Sequence, residues 1–128
     1  MDPFDGLSVL LLEDEYLIAL DAEQTLTSFG VAKVSVVNTL EEAAKAATDE
    51  SIDVAILDIN INGKSSFEVA ELLRAKGTPI VFASGYGSRK RHGFAVEDAI
   101  YLNKPYTKEA LRESLVAAIQ KSRRSQAA

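Results

Sequence analysis

Short apolar runs alternate along the chain with longer stretches in which apolar residues recur at helical spacing. Each run is four to six residues long and rich in Val, Ile, Leu or Ala, which is typical of a buried strand. The runs cover residues 7–12, 33–37, 53–58, 79–83 and 99–102. Because a helix-length segment separates each run from the next, the pattern predicts an α/β fold with a parallel sheet and right-handed crossovers.

The first two intervening segments carry signals of helix starts and stops. The acids at 13–15 suit the positive end of a helix dipole in its first turn, and Gly30 is the predicted stop. Thr39 and Glu42 resemble a capping box at the start of the second helix. The apolar stripe of the first helix is predicted to contain Leu17, Ile18, Leu20, Ala22, Leu26 and Phe29.

The later segments give less regular patterns. Residues 60–66 predict a polar loop, and residues 89–98 have a weak apolar stripe, so the fourth helix is predicted to be short or frayed. Residues 1–6 are a polar lead, and the tail 122–128 is predicted to be disordered. The third helix is predicted to use Phe67, Val69, Ala70, Leu72 and Leu73, with Gly77 beyond its end.

Composition narrows the classes of protein. A length of 128 residues fits a single domain, with residues 7–120 as its core. The net charge of -5 and the pI of about 4.9 argue against non-specific nucleic-acid binding. The chain has no cysteine, no apolar run near the ~20 residues of a membrane span, and no signal-peptide pattern. We therefore expect a cytoplasmic protein without disulfides.

Charged residues follow three of the predicted strands. Glu13 and Asp14 close the first run, Asp58 closes the third, and Lys104 follows the fifth. Open α/β sheets place their chemistry at the carboxyl ends of strands, so these groups are expected to meet. Crowded carboxylates repel one another unless a proton or cation intervenes, and Mg²⁺ prefers such oxygen ligands. The competing interpretation is that the acids are simply solvated.

A carboxylate can also act as a nucleophile toward phosphorus. Lys104 would then neutralise charge on the transferred oxygens, and the Ser84 hydroxyl, after the fourth strand, would donate to one of them. The sequence contains neither a Walker-type loop nor a dinucleotide fingerprint, and its one histidine, His92, lies among basic residues. Serine or cysteine nucleophiles paired with histidine are therefore not indicated.

The chain resembles the receiver domain of two-component response regulators. The resemblance rests on the order and strand positions of Glu13-Asp14, Asp58, Ser84 and Lys104-Pro105. The resemblance covers about residues 7–120. It implies a flavodoxin-like, doubly wound sheet of five parallel strands in the order 2-1-3-4-5. It also implies phosphoryl transfer to the aspartate from a phosphohistidine on a sensor histidine kinase or a phosphotransfer protein, rather than catalysis of a separate reaction.

The resemblance also assigns roles to individual residues. Asp58 is the implied phosphoacceptor, paired with Lys104 and Ser84. The implied Mg²⁺ (or Mn²⁺) ligands are Asp14, Asp58 and the carbonyl of Asn60, with Glu13 acting largely through a metal-bound water. Tyr101 occupies the switch-aromatic position, which would couple the site to the surface of the fourth helix, fifth strand and fifth helix. Tyr86 and Asn60 are expected to tune the lifetime of the phosphorylated state.

The segment Phe82-Ala83-Ser84-Gly85-Tyr86 is similar to the Phe-Ala-Thr-Gly-Tyr signature of an alphaproteobacterial receiver group. Serine stands here where threonine is usual. That group implies a single-domain, stand-alone receiver, often served by an HWE-type kinase. It would signal by protein contact or act as a phosphate sink or shuttle, as a monomer that can dimerise on phosphorylation.

Two alternatives come from other classes. A haloacid-dehalogenase-like phosphatase also uses an aspartate nucleophile with magnesium, but it needs a second aspartate at position 60, where this chain has Asn60. A constitutive interaction module would take no phosphate at all, and the intact Asp58 and Lys104 argue against it.

Overall fold

The computed structural model describes residues 3–85 and 99–127 of the chain. The helices within these ranges are α1 (Tyr16–Ser28), α2 (Leu40–Asp49), α3 (Phe67–Ala75) and α4 (Lys108–Ala127). The long strands are β1 (Ser8–Leu12), β2 (Lys33–Val37), β3 (Val54–Asp58), β6 (Ile80–Ser84) and β7 (Ile100–Asn103). Two short strands, β4 (Asn60–Ile61) and β5 (Lys64–Ser65), lie between β3 and α3.

The five long strands form one parallel sheet in the order β2-β1-β3-β6-β7. Since β6 and β7 are the fourth and fifth long strands, the predicted order 2-1-3-4-5 is confirmed. Every residue of β3 is buried, as is all of β1 except its first residue. Central parallel strands that are covered on both faces need such continuous apolar runs, so these two strands could be predicted from the sequence.

The side chains of each strand alternate between two cores. Val9 and Leu11 of β1 point into a core that includes residues of α1 and α4. Leu10 and Leu12 point into a second core that includes residues of α2 and α3. Helices therefore cover both faces of the sheet, and the ends of the strands are left to carry polar groups.

The start and the apolar face of α1 differ from the prediction. The helix begins at Tyr16, so the acids at 13–15 precede its first turn instead of lying in it. Ala19, Ala22, Leu26 and Phe29 are buried, whereas Leu17 is 75% exposed and Leu20 is also exposed. The Glu13 N–H donates to the carbonyl of Val37, which keeps the chain extended past β1 and delays the helix.

Several local signals are confirmed. Thr39 caps α2, where its Oγ1 accepts the Glu42 N–H at 3.1 Å. Gly30 and Gly77 follow α1 and α3 with positive φ angles of 98° and 77°, as glycines beyond a helix end commonly do. The predicted face of α3 is only partly correct: Val69, Ala70 and Leu73 are buried, but Phe67 and Leu72 are exposed.

The described residues near both ends of the chain have more structure than predicted. Phe4 is fully buried and stacks on Phe29 with ring centroids 5.3 Å apart, so residues 3–6 are not a polar lead. The guanidinium of Arg112 lies 4.9 Å from the Phe4 ring centroid, which adds a cation–π contact. At the other end, α4 runs to Ala127 instead of fraying at Ser122, whose hydroxyl donates to the Gly77 carbonyl at 3.3 Å.

The segment after β3 is a small hairpin instead of an irregular loop. β4 pairs antiparallel with β5, and the two turn residues, Asn62 and Gly63, have φ angles of 52° and 84°. Two consecutive positive φ angles are the signature of a type I′ turn, for which Asn-Gly is the preferred sequence. The predicted fourth helix at 89–98 and the side chain of Tyr86 lie outside the described residues. Of the helices within 3–85 and 99–127, none combines the length and apolar character needed to cross a membrane.

Candidate functional site

Three carboxylates meet at the carboxyl ends of two neighbouring strands. β1 and β3 pair in a register that puts Leu12 beside Leu57, so the residues that follow them emerge side by side. Glu13, Asp14 and Asp58 each place a carboxylate oxygen within 4.8 Å of the other two. The predicted acid cluster is therefore present; we call Glu13, Asp14, Asp58 and Lys104 together the acid pocket.

Lys104 bridges two members of the acid pocket. Its Nζ lies 2.9 Å from Glu13 Oε1 and 2.9 Å from Asp58 Oδ2. The three side chains are 11%, 2% and 5% exposed respectively, so these ion pairs are largely shielded from water. Charge-assisted bonds in such surroundings are strong, and breaking one leaves an uncompensated buried charge.

Backbone pairing between β6 and β7 brings Lys104 to the pocket. The Lys104 N–H donates to the carbonyl of Ser84 at 2.9 Å, which continues the ladder between β6 and β7. The Lys104–Pro105 peptide bond is cis. Ser84 itself is buried at the end of β6, and its neighbour Ala83 is paired with Asp58. Ser84 thus lies one residue along the strand from the position beside Asp58.

One carboxylate oxygen of each acid accepts a backbone N–H. Glu13 Oε2 accepts from the Glu15 N–H at 3.1 Å, and Asp14 Oδ2 accepts from the Asn62 N–H at 3.2 Å. Asp58 Oδ1 receives a longer, weaker contact of 3.4 Å from the Asn60 N–H. These bonds fix the directions of all three carboxylates relative to the backbone.

Burial and charge act in opposite directions on the acid pocket. Burial raises the pKa of Glu13 to about 7, against the lowering effect of the Lys104 hydrogen bond. Burial likewise raises the pKa of Asp58, and Lys104 again opposes the shift. For Lys104, burial lowers the pKa, but the hydrogen bonds to Asp58 and Glu13 outweigh it and the net pKa is raised. Glu13 and Asp58 share the Lys104 ammonium, so protonation of one acid changes the pKa of the other and the two titrate as a coupled pair.

The donor set fits a hard divalent cation. Three carboxylates and one ammonium leave a formal charge of −2 when all are ionised. Mg²⁺ matches both this charge and the all-oxygen chemistry, and it needs only one or two carboxylates besides water. Asn60, the other predicted ligand, begins β4 two residues after Asp58. The residues present therefore suit the cation that the sequence predicted.

Two tyrosines lie on or directly after β7, the strand that precedes Lys104. Tyr101 is paired with Phe82, and their ring centroids are 5.7 Å apart. Tyr106, which the sequence analysis did not select, is half-buried; burial first and then the charge of Glu13 raise its pKa to about 12. Tyr106 follows Lys104 by two residues, and this closeness in sequence could have indicated a position near the site.

The structure thus assembles most of the predicted site. It brings together Glu13, Asp14, Asp58 and Lys104, and it places Ser84 on the adjacent strand. The backbone N–H of Asn62 was missed as a partner of Asp14, although the Asn-Gly pair signals a tight hairpin. Tyr86 lies outside the described residues, so its predicted role stays a prediction.

The comparison with known proteins agrees with this geometry. A family model for the response regulator receiver domain matches residues 9–116. Sensory transduction protein LytT of Bacillus subtilis is 28% identical over 112 residues, which are 85% of this chain and 46% of LytT. Phyllosphere-induced regulator PhyR of Methylorubrum extorquens is 34% identical over 101 residues, 77% of this chain and 38% of PhyR. The chain spans about half the length, or less, of these curated relatives.

Solved structures match over nearly their whole length. A crystal structure of a response regulator receiver protein from Sinorhizobium medicae has a TM-score of 0.80 and 28% identity, covering 91% of this chain and 97% of that one. The solution structure of SdrG from Sphingomonas melonis has a TM-score of 0.77 and 34% identity, covering 89% and 97%. Sequence, fold and pocket agree, and the chain belongs to the response regulator receiver domain family of two-component systems.

Proposed function

We propose that Asp58 accepts a phosphoryl group in a reaction that depends on a divalent cation. The observation that carries this proposal is the bridge from Lys104 to Asp58 and Glu13, at 2.9 Å to each, beside the third acid, Asp14. Among the described residues this pocket joins a carboxylate nucleophile to a fixed positive charge and a matched cation site. Simple solvated acids would not be buried around a lysine in this way.

The proposed reaction moves one phosphoryl group between two proteins. The phosphorus–nitrogen bond of a phosphohistidine breaks, a phosphorus–oxygen bond to Asp58 forms, and the imidazole leaves with its electron pair and takes up a proton. Lys104 is close enough to pair first with the Asp58 carboxylate and then with the phosphoryl oxygens once the group is attached. Hydrolysis of the acyl phosphate would later return Asp58, so the chain changes its own state and turns over no other substrate.

Mg²⁺, or Mn²⁺ in its place, would be held by Asp14, Asp58 and the Asn60 carbonyl, with Glu13 acting through water. When bound, the cation would neutralise charge that accumulates on the phosphoryl oxygens during transfer. The net charge of −2 in the acid pocket supports this part of the proposal. Glu13 and Asp58 would both be ionised in the loaded site, since the cation opposes the effect of burial on their pKa values.

We further propose that phosphorylation is communicated through Ser84 and Tyr101. The Ser84 hydroxyl would bond a phosphoryl oxygen, which would draw the end of β6 toward Asp58. Tyr101 on β7 packs against Phe82, which lies on β6 together with Ser84. A shift of β6 would therefore change the surroundings of the Tyr101 ring. The surface formed by β7, the first turns of α4 and the helix predicted at residues 89–98 would then present a changed face to a downstream protein.

The donor protein needs a surface close to Asp58. Tyr16 and Leu17 begin α1 directly after the pocket acids, and they are 76% and 75% exposed. Large apolar side chains exposed beside a reactive site are typical of a protein contact. We propose that the donor, a sensor histidine kinase or a phosphotransfer protein, docks on this part of α1.

We propose a stand-alone receiver of the alphaproteobacterial Phe-Ala-Thr-Gly-Tyr group, acting in the cytoplasm as a single domain over residues 1–128. The match over 97% of the solved Sinorhizobium and Sphingomonas chains supports this part of the proposal. An HWE-type kinase would be its donor, and the chain would act by protein contact or as a phosphate sink. We expect a monomer that can dimerise on phosphorylation and binds no nucleic acid.

Labelling with radioactive acetyl phosphate tests the acceptor directly. The protein should become labelled in the presence of Mg²⁺, and a chelator should prevent this. Asp58→Asn should remove the label, whereas Asp49→Asn, a change at an exposed acid of α2, should leave it intact. Label that persists in Asp58→Asn would refute the assignment, and a wild-type protein that takes no label would favour a phosphate-independent interaction module.

A further inference from the structure

The hairpin of β4 and β5 makes a contact that links two loops of the site. The Asn62 N–H at its tip donates to Asp14 Oδ2 at 3.2 Å, across 48 positions of sequence. Asp14 belongs to the segment after β1, and Asn62 belongs to the segment after β3. The bond therefore ties the third acid of the pocket to the chain that carries Asp58.

Asp14 needs such a tie more than the other acids do. Glu13 and Asp58 are buried and share the ammonium of Lys104, but Asp14 is partly exposed, and within the described residues Lys104 forms its ion pairs with the other two acids. Its carboxylate lies within 4.8 Å of two others, and like charges at that range repel. An untethered Asp14 would lower its energy by turning toward water, away from the cation site.

We propose that the β4–β5 hairpin is a positioning element, which holds the Asp14 carboxylate in the acid pocket through the N–H of Asn62. The inference rests on the proposed function, because it assigns the hairpin a part in binding the cation. Asn62 would act through Asp14 and would not touch the phosphoryl group. Groups that orient metal ligands commonly determine how tightly the metal is held.

The hairpin has the rigidity that this role requires. Ile59 and Ile61 on either side of Asn60 are buried in the second core. The Ser66 N–H donates to the Ile59 carbonyl at 3.0 Å, and the Phe67 N–H donates to Ser65 Oγ at 3.1 Å, which closes the base of the hairpin onto α3. The anchored base therefore restricts the directions in which the tip can point its N–H.

A backbone ester at position 62 removes the one donor concerned. Replacing Asn62 by its α-hydroxy acid exchanges the N–H for an oxygen and keeps the side chain. Direct titration with Mg²⁺ should then show roughly tenfold weaker binding, the lower end of the range for lost partners of metal ligands, since the 3.2 Å bond is long and partly exposed. In an Asp14→Ala background the same ester should have no further effect.

Two glycine variants give a recombinant test with a matched control. Gly63 and Gly6 have φ angles of 84° and 79°, and among the described atoms an added Cβ at either meets nothing within 4 Å. Alanine therefore adds similar backbone strain at both positions. Gly63 lies in the hairpin, whereas Gly6 precedes β1, at the amino-terminal end of the strands and away from the acid pocket. Gly63→Ala should weaken Mg²⁺ binding, whereas Gly6→Ala should lower only the stability.

Hydrogen exchange adds a readout without the cation. The Asn62 amide should exchange faster in Asp14→Ala than in the wild-type protein, because its acceptor is gone. An unchanged Mg²⁺ dissociation constant in the ester protein, or equal weakening in both glycine variants, would overturn the positioning role. Either result would leave the acceptor function standing if the wild type still binds Mg²⁺ and takes label, so the two failures are distinguishable.

Discussion

Replacing Glu13 by glutamine tests the electrostatics of the acid pocket without changing the proposed acceptor. Burial raises the pKa of Glu13 from 4.5 to about 7, so between these values the folded protein keeps a proton that the unfolded chain has released. Stability must then fall as the pH rises through this window. A shift of this size corresponds to ~3 kcal/mol once the pH exceeds the folded pKa.

The glutamine variant removes this penalty but loses a hydrogen bond. The two carboxylate oxygens of Glu13 accept from the Lys104 ammonium and from the Glu15 N–H. An amide has one acceptor oxygen, so one of these bonds is lost, at about 1 kcal/mol. We therefore expect Glu13→Gln to leave the free energy of unfolding nearly unchanged at pH 5, where about 1 kcal/mol of penalty removed offsets the lost bond, and to raise it by about 2 kcal/mol at pH 8.

Urea unfolding at pH 5, 6.5 and 8, with a chelator present, measures both effects. Glu71→Gln, at an exposed position of α3, is the matched control and should change little at any pH. Adding Mg²⁺ at pH 8 should stabilise the wild type and shrink the advantage of the variant, because the cation offsets the same charge. If the effect of Glu13→Gln has the same sign and size at pH 5 and pH 8, the electrostatic account of the pocket is wrong.

Four further predictions follow from particular contacts. Phe4→Ala should lower the free energy of unfolding by about 3 kcal/mol in urea, because the ring is fully buried against Phe29; a loss below about 1 kcal/mol would contradict the packing. Thr39→Ala should lower it by about 1 kcal/mol through loss of the α2 cap. Lys104→Met should tighten Mg²⁺ binding by titration yet suppress acetyl phosphate labelling, since the pocket becomes more negative but loses its ammonium. Leu17→Glu should slow transfer from a phosphorylated kinase and leave acetyl phosphate labelling unchanged, because the docking surface proposed on α1 would serve only a protein donor.

The sheet and the acid pocket could be predicted because both depend on short-range patterns. A strand buried on both faces, such as β3, needs a continuous apolar run, which in β3 extends from Val54 to Leu57. Asp58 ends that run and Glu13 follows a similar one, so their meeting follows from parallel strands ending at one edge. The order of the strands came from the family resemblance and not from the residues.

The features that were missed depend on the three-dimensional surroundings. Leu17 fits a helical stripe as well as Ala19 does, and only the later start of α1 decides which of them faces the core. Phe4 is flanked by polar residues, and its burial requires Phe29 and Arg112, which are distant in the sequence. The contact between Asn62 and Asp14 spans two separate loops, so the Asn-Gly pair could have predicted the turn but not the acceptor.

The acid pocket connects cation affinity, pH and stability through a single physical quantity, its unneutralised negative charge. β1 and β3 are buried along almost their whole length, so their ends cannot separate to relieve the repulsion between Glu13, Asp14 and Asp58. Protons and Mg²⁺ both reduce this charge, so they must compete: lowering the pH from 8 to 6 should weaken Mg²⁺ binding while it stabilises the metal-free protein. A substitution that neutralises one acid should likewise stabilise the metal-free fold and impair the loaded site. The instability of this pocket without a cation is therefore a direct consequence of the arrangement that lets it hold one.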